Sequence, residues 1–123
     1  MINWQKYHPY FKPSEFVCRE TGKHGIKAEL LDRLLALRLA WGRPMRITSG
    51  YRAPEHSREK TKTAPGPHTT GLACDVAIGP GAEVWDFVKL AMDHGFTGIG
   101  ISQKVGQPRF VHIDLLDKRM WSY

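Results

Sequence analysis

The sequence predicts an α+β fold in which two helices lie on a small, largely antiparallel sheet. Three observations predict it. Two stretches, 28–41 and 82–94, repeat their apolar residues at helical spacing. Four short runs, 45–49, 72–78, 98–102 and 109–115, have the length and composition of strands. Glycine and proline punctuate the joins, as they do between packed elements. At 123 residues the chain reads as one domain, large enough for a core without obligatory disulfides.

Residues 1–27 are aromatic and broken by Pro9 and Pro13, so they read as an irregular N-terminal arm packed on the body. Within it Pro13-Ser14-Glu15-Phe16 is expected to form a short turn of helix capped by Ser14. In the first helix Leu30, Leu34, Leu37 and Trp41 fall on one stripe, which Leu31, Leu35 and Leu39 widen. Gly42 stands where a left-handed cap belongs, with Pro44 just beyond. Met45–Ser49 alternates like a strand, and Gly50-Tyr51-Arg52 leaves it for a long polar loop over 53–67, a length that is often functional. Over 72–78 the odd positions Ala73, Asp75 and Ala77 share one face, while Leu72, Cys74, Val76 and Ile78 share the core face. The second helix is expected to bury Val84, Val88 and Ala91, broadened by Trp85 and Phe87, and to end at Gly95. Gly98–Ser102 is a strand whose glycines mark close backbone approach. In the last strand Phe110, His112 and Asp114 share a face, opposite Val111, Ile113 and Leu115. Met120–Tyr123 carries no assigned element.

Composition excludes several classes. No apolar run approaches the roughly 18 residues of a membrane span, and no export segment is read at the N-terminus. The net charge of +6 favours polyanionic surroundings, including acidic wall polymers. The basic residues are scattered, however, and no aromatic-basic repeat of a nucleic-acid module is present. Cys18 and Cys74 are too few for a disulfide framework and lack the paired spacing of a zinc ribbon.

The chemistry concentrates in Pro67-His68-Thr69-Thr70-Gly71-Leu72-Ala73-Cys74-Asp75 and in Phe110-Val111-His112-Ile113-Asp114. Two imidazoles and one carboxylate are the protein ligand set of an open, catalytic zinc site. An aspartate inside a strand is costly to bury without a cation or hydrogen bonds. Strand alternation sends Cys74 to the core and Asp75 to the small-residue face. His8, His24 and His94 have no comparable setting, and His56 lies in the long loop.

Ser49-Gly50-Tyr51-Arg52, then HTTGLACD, then GIGIS and FVHID resemble the zinc D-alanyl-D-alanine carboxypeptidase and L-alanyl-D-glutamate endopeptidase family. The family also takes in vancomycin-resistance dipeptidases and the hedgehog signalling domain, whose fold the resemblance implies here. The pattern is SxxR, HxxGxAxD and a later strand histidine, and the likeness runs from about Phe16 to the final Trp-x-Tyr. The compact chain is most similar to phage and prophage members. The resemblance implies one zinc ion held by His68, Asp75 and His112, with zinc-bound water attacking a peptide bond of the peptidoglycan stem or cross-link. It makes Arg52 the cation for a substrate carboxylate or developing oxyanion, a task suited to a planar guanidinium fork. It implies a protein acting on the wall after phage lysis or as part of a virion, as a monomer if free. The other reading is a catalytically silent wall-binding or virion module of the same fold.

Two departures from the pattern stand out. Relatives place a glutamate or histidine three to five residues before the last ligand, where this chain has Arg109 and Gln107. Asp114 is the nearest candidate to relay the proton, or else it orients a ligand; Glu55 and His56 lie further off. Many relatives also carry serine two residues before the first histidine, where this chain has Gly66.

Overall fold

The computed structural model describes residues 1–123. Helix α1 spans Ala28–Trp41 and helix α2 spans Ala82–Asp93. The strands are β1 (Ile47–Ser49), β2 (Ala73–Ala77), β3 (Gly98–Ser102), β4 (Phe110–Asp114) and β5 (Arg119–Ser122). They form one sheet in the order β1-β2-β4-β3-β5. Every pairing is antiparallel except β3 with β5. The α+β expectation holds.

Leu30, Leu31, Leu34 and Leu37 of α1 meet Val84, Phe87 and Ala91 of α2 in one core cluster. The inward side chains of the sheet, Cys74, Val76, Ile99, Val111 and Ile113, complete it. Trp41 packs edge-on against Phe87 with centroids 5.3 Å apart. Gly42 ends α1 at φ 70°, and its N–H reaches the Arg38 carbonyl. Leu39 and Trp85 do not widen the buried stripes as expected: they are 56% and 73% exposed. At roughly 100° per residue each falls well round the helix from its buried neighbours.

The arm contributes to the same core through Tyr7, Phe11 and Phe16, which are buried and linked by edge and tilted ring contacts including Trp4. The turn Pro13–Glu15 forms, but Ser14 does not cap it. The cap is Lys12, whose N–H donates to Glu15 Oε1 at 3.0 Å. Lys6 and the Tyr7 hydroxyl both donate to Asp32 on α1, at 2.8 and 2.6 Å. Burial, and then the Asp32 carboxylate, push the Tyr7 phenol up to about 12. A raised acid pKa means the folded chain keeps a proton that the unfolded chain releases first, so stability falls as pH rises between about 10 and 12. Tyr7→Phe is expected to lose about 1 kcal/mol at neutral pH and to flatten that alkaline decline, as read by urea melts at the two ends of the window.

The loop over 53–67 is a series of hydrogen-bonded turns pinned to the arm. Ser57 donates to Glu20 through both N–H and hydroxyl, and Lys23 pairs with Glu55 at 2.6 Å. The end of the loop leads into a single 3-10 turn, Pro67–Thr70.

Candidate metal centre

Register across the sheet builds the site. The face away from the core carries two rows, one running Ala73, Asp114, Gly98, Arg119 and the next Asp75, His112, Gly100, Trp121. Asp75 and His112 are therefore directly opposed on β2 and β4. His68 joins them from the turn Pro67–Thr70, which Gly71 ends at φ 78°, a left-handed conformation that returns the chain into β2. A Cβ at Gly71 would also strike the Gly25 carbonyl.

The three sequence-predicted ligands are all buried, and one atom of each converges. His112 Nδ1 lies 3.0 Å from Asp75 Oδ1 and 3.2 Å from His68 Nε2, and His68 Nε2 lies 3.3 Å from Asp75 Oδ1. A tetrahedral site with bonds of about 2.0–2.1 Å has edges of about 3.3 Å, so the triangle has the size of one face. The far nitrogen of each ring is occupied. His68 Nδ1 faces the Gly50 carbonyl at 2.8 Å and His112 Nε2 faces Asp114 Oδ2 at 2.7 Å. As neutral imidazoles, both rings donate outward to those oxygens and turn their lone pairs inward. Two lone pairs and a carboxylate facing one another in a buried pocket fit a cation.

Charge follows the same geometry. Burial raises the Asp75 carboxyl, but the His112 and His68 imidazoles beside it outweigh that and bring it to about 2. Burial lowers His112, but the carboxylates of Asp114 and Asp75 on either side leave it raised. Burial pushes the Cys74 thiol well up, and it is fully enclosed, as the strand alternation requires of a core residue.

Arg52 leaves β1 through Gly50, whose N-terminal setting is fixed by the arm: a Cβ there would meet Phe16 Cα at 2.7 Å. The Arg52 N–H donates to the His68 carbonyl at 3.2 Å. Its guanidinium lies 3.9 Å from Asp75 Oδ2 and 3.7 Å from Glu59 Oε2, so the structure brings Arg52 to the edge of the cluster.

Asp114 stands behind His112, on the side away from the cluster. It is fully buried and accepts from His112, from Leu116 N–H at 3.0 Å, and from both Arg119 nitrogens at 3.0 and 2.8 Å. Burial would raise its carboxyl, but these donors drive it far below the ordinary carboxylate range. Asp114 thus holds the far nitrogen of His112 and does not face the cluster. Glu55 and His56 lie outside the cluster: Glu55 pairs with Lys23, and His56 meets Glu20 at 3.1 Å.

Three neighbours of the site escaped the sequence reading. Arg119 and Trp121 sit on β5, a strand that the local sequence pattern does not predict. Trp121 packs on His112 with ring centroids 5.0 Å apart, and Arg119 grips Asp114 across Gly98. The glycines at 98 and 100 were the available signal, because each leaves the space that a β5 side chain fills. Glu59 is the third. It sits in a run of mixed charge yet is only 5% exposed.

No curated protein matches the chain. A family model described as Peptidase M15 matches residues 9–114, which takes in Arg52, His68, Asp75, His112 and Asp114 and stops short of β5. With the His-Asp-His cluster in place within that span, the chain belongs to the Peptidase M15 family.

Proposed function

We propose that the chain is a zinc-dependent peptidase acting on the peptides of the cell wall, in the stem or the cross-link. The observation that carries it is the triangle of His68 Nε2, Asp75 Oδ1 and His112 Nδ1, with edges of 3.0–3.3 Å. A His₂-carboxylate set suits zinc, and three protein ligands leave a fourth position open. When bound, zinc supplies a Lewis acid that polarises a carbonyl and makes water nucleophilic near neutral pH. The protein's own groups do the rest. Gly50 and Asp114 fix the two imidazoles, and Arg52 offers a guanidinium to a substrate carboxylate or to the developing oxyanion. Asp114 acts through His112, as a positioning residue. The net positive charge suits an anionic wall polymer, and no helix is long and apolar enough to cross a membrane. Release by phage lysis or carriage in a virion would bring such a protein to its substrate.

A second reading is a silent binding module of the same fold. It is favoured by the placement of the two nearest further acids: Asp114 faces away behind His112, and Glu59 is tied to Lys62 and Thr69, so neither stands free beside the cluster to take a proton. Mass spectrometry of purified muropeptides separates the readings. The peptidase is expected to release new termini with zinc, to stop with a chelator and to resume on zinc addition. Intact muropeptides at full zinc occupancy, with wall binding retained, would establish the module instead.

A further inference from the structure

The loop acid Glu59 has no part in the metal cluster, yet it is buried and fully engaged. Its Oε2 meets Lys62 Nζ at 3.0 Å and its Oε1 accepts from Thr69 Oγ1 at 3.1 Å. Burial would raise its carboxyl, but the Lys62 and Thr69 hydrogen bonds and the Lys62 and Arg52 charges leave it lowered. Gly66 explains how it fits. The Gly66 backbone, at φ −75° and ψ 172°, suits any residue. A Cβ there, however, would stand 2.8 Å from Glu59 Oε1 and 2.8 Å from Lys62 Nζ. The carboxylate and ammonium occupy the space of the missing side chain, directly before the turn that delivers His68.

Arg52 lies between this acid and the cluster. It is 3.7 Å from Glu59 and 3.9 Å from Asp75, beyond direct hydrogen-bond length on both sides. A guanidinium held by opposed charges keeps its N–H donors free for a ligand. Without Glu59 the remaining pull is toward Asp75, and the fork would close onto a residue of the metal cluster.

We propose that Glu59, seated over Gly66 by Lys62 and Thr69, is the residue that positions Arg52 to read a carboxylate on the substrate. This rests on the assignment of Arg52 under the proposed function. The test compares zinc-loaded variants on a stem peptide with free carboxylates and on the same peptide with those groups amidated. Arg52→Ala should erase the preference for the free form. Glu59→Gln should raise KM for the free form about tenfold, a loss of about 1.4 kcal/mol, with kcat within about twofold and zinc content unchanged. Gly66→Ala should reproduce that shift by displacing Glu59, yet add little in a Glu59→Ala background, where only the end of the flexible Lys62 side chain remains in that space. That non-additivity guards against simple loss of fold. A preference unchanged by Glu59→Gln, in a protein whose Arg52→Ala variant has lost it, would overturn the role of Glu59. A preference untouched by Arg52→Ala would overturn the assignment of Arg52 first, and the role of Glu59 with it.

Discussion

Zinc affinity is expected to fall stepwise as alanine is placed at His68, Asp114 and Arg119. Tight four-ligand zinc sites are worth about 10–16 kcal/mol, so one ligand carries about 3 kcal/mol, or two to three powers of ten in affinity. His68→Ala should lose that much and take peptidase activity with it. Asp114→Ala removes the acceptor that holds the His112 ring with Nδ1 inward, and losses behind a ligand are typically about 10–100-fold. It also removes the ion pair of Arg119, which keeps the Asp117 carbonyl at 2.8 Å, so a modest part of the stability should go as well. Arg119→Ala should cost least, because Asp114 keeps His112 and the Leu116 N–H. Competition with a chromophoric chelator measures all three. Asp114→Ala binding zinc as tightly as the parent would show that His112 needs no support from behind.

Gly98→Ala is expected to be the most damaging single methyl in the sheet. The new Cβ would overlap Asp114 Oδ1 and Arg119 Nη1. Asp114 is fully buried and held by four donors, so it has nowhere to move. Overpacking of this kind costs about 1–3 kcal/mol, near the upper end here, or roughly 10 °C in melting temperature for a domain of this size. Zinc affinity should drop alongside it, to about the level of Asp114→Ala. Gly106→Ala is the informative contrast. Its φ of 78° disfavours a side chain, but nothing lies within 4 Å. It should cost stability through the backbone alone, about 1 kcal/mol, and leave zinc binding intact. Equal zinc loss in both variants would mean that the effect of Gly98→Ala is global and not transmitted through Asp114.

The clustering of His68, Asp75 and His112 was legible in the sequence because it depends on local rules. Alternation along β2 and β4 places Asp75 and His112 opposite the core residues, and Gly71 marks the turn that brings in His68. The two helices were legible from their leucine, valine and alanine spacing. What escaped depends on pairing between distant segments. Strand β5 is four residues long and joins β3 in parallel, an arrangement that no local pattern announces. Glu59 was hidden by its neighbours Arg58, Lys60 and Lys62, since a mixed charge run ordinarily faces solvent. Its burial follows from the gap at Gly66, which only the folded chain reveals. Leu39 and Trp85 are the opposite case: their apolar character predicts burial, but their helical phase points outward.

The parallel seam between β3 and β5 also predicts an order of events. Strand β5 is expected to dock last, because it adds an edge to a sheet whose other four strands pair without it. Asp114 acquires its arginine clamp, and His112 its indole cover, at that docking step. A chain that has paired β2 with β4 already opposes Asp75 and His112, with His68 on the turn that leads into β2, while the support behind His112 arrives later. Tight metal capture becomes a late reporter of native topology, so a refolding trace followed by zinc uptake should lag one followed by burial of the leucine core.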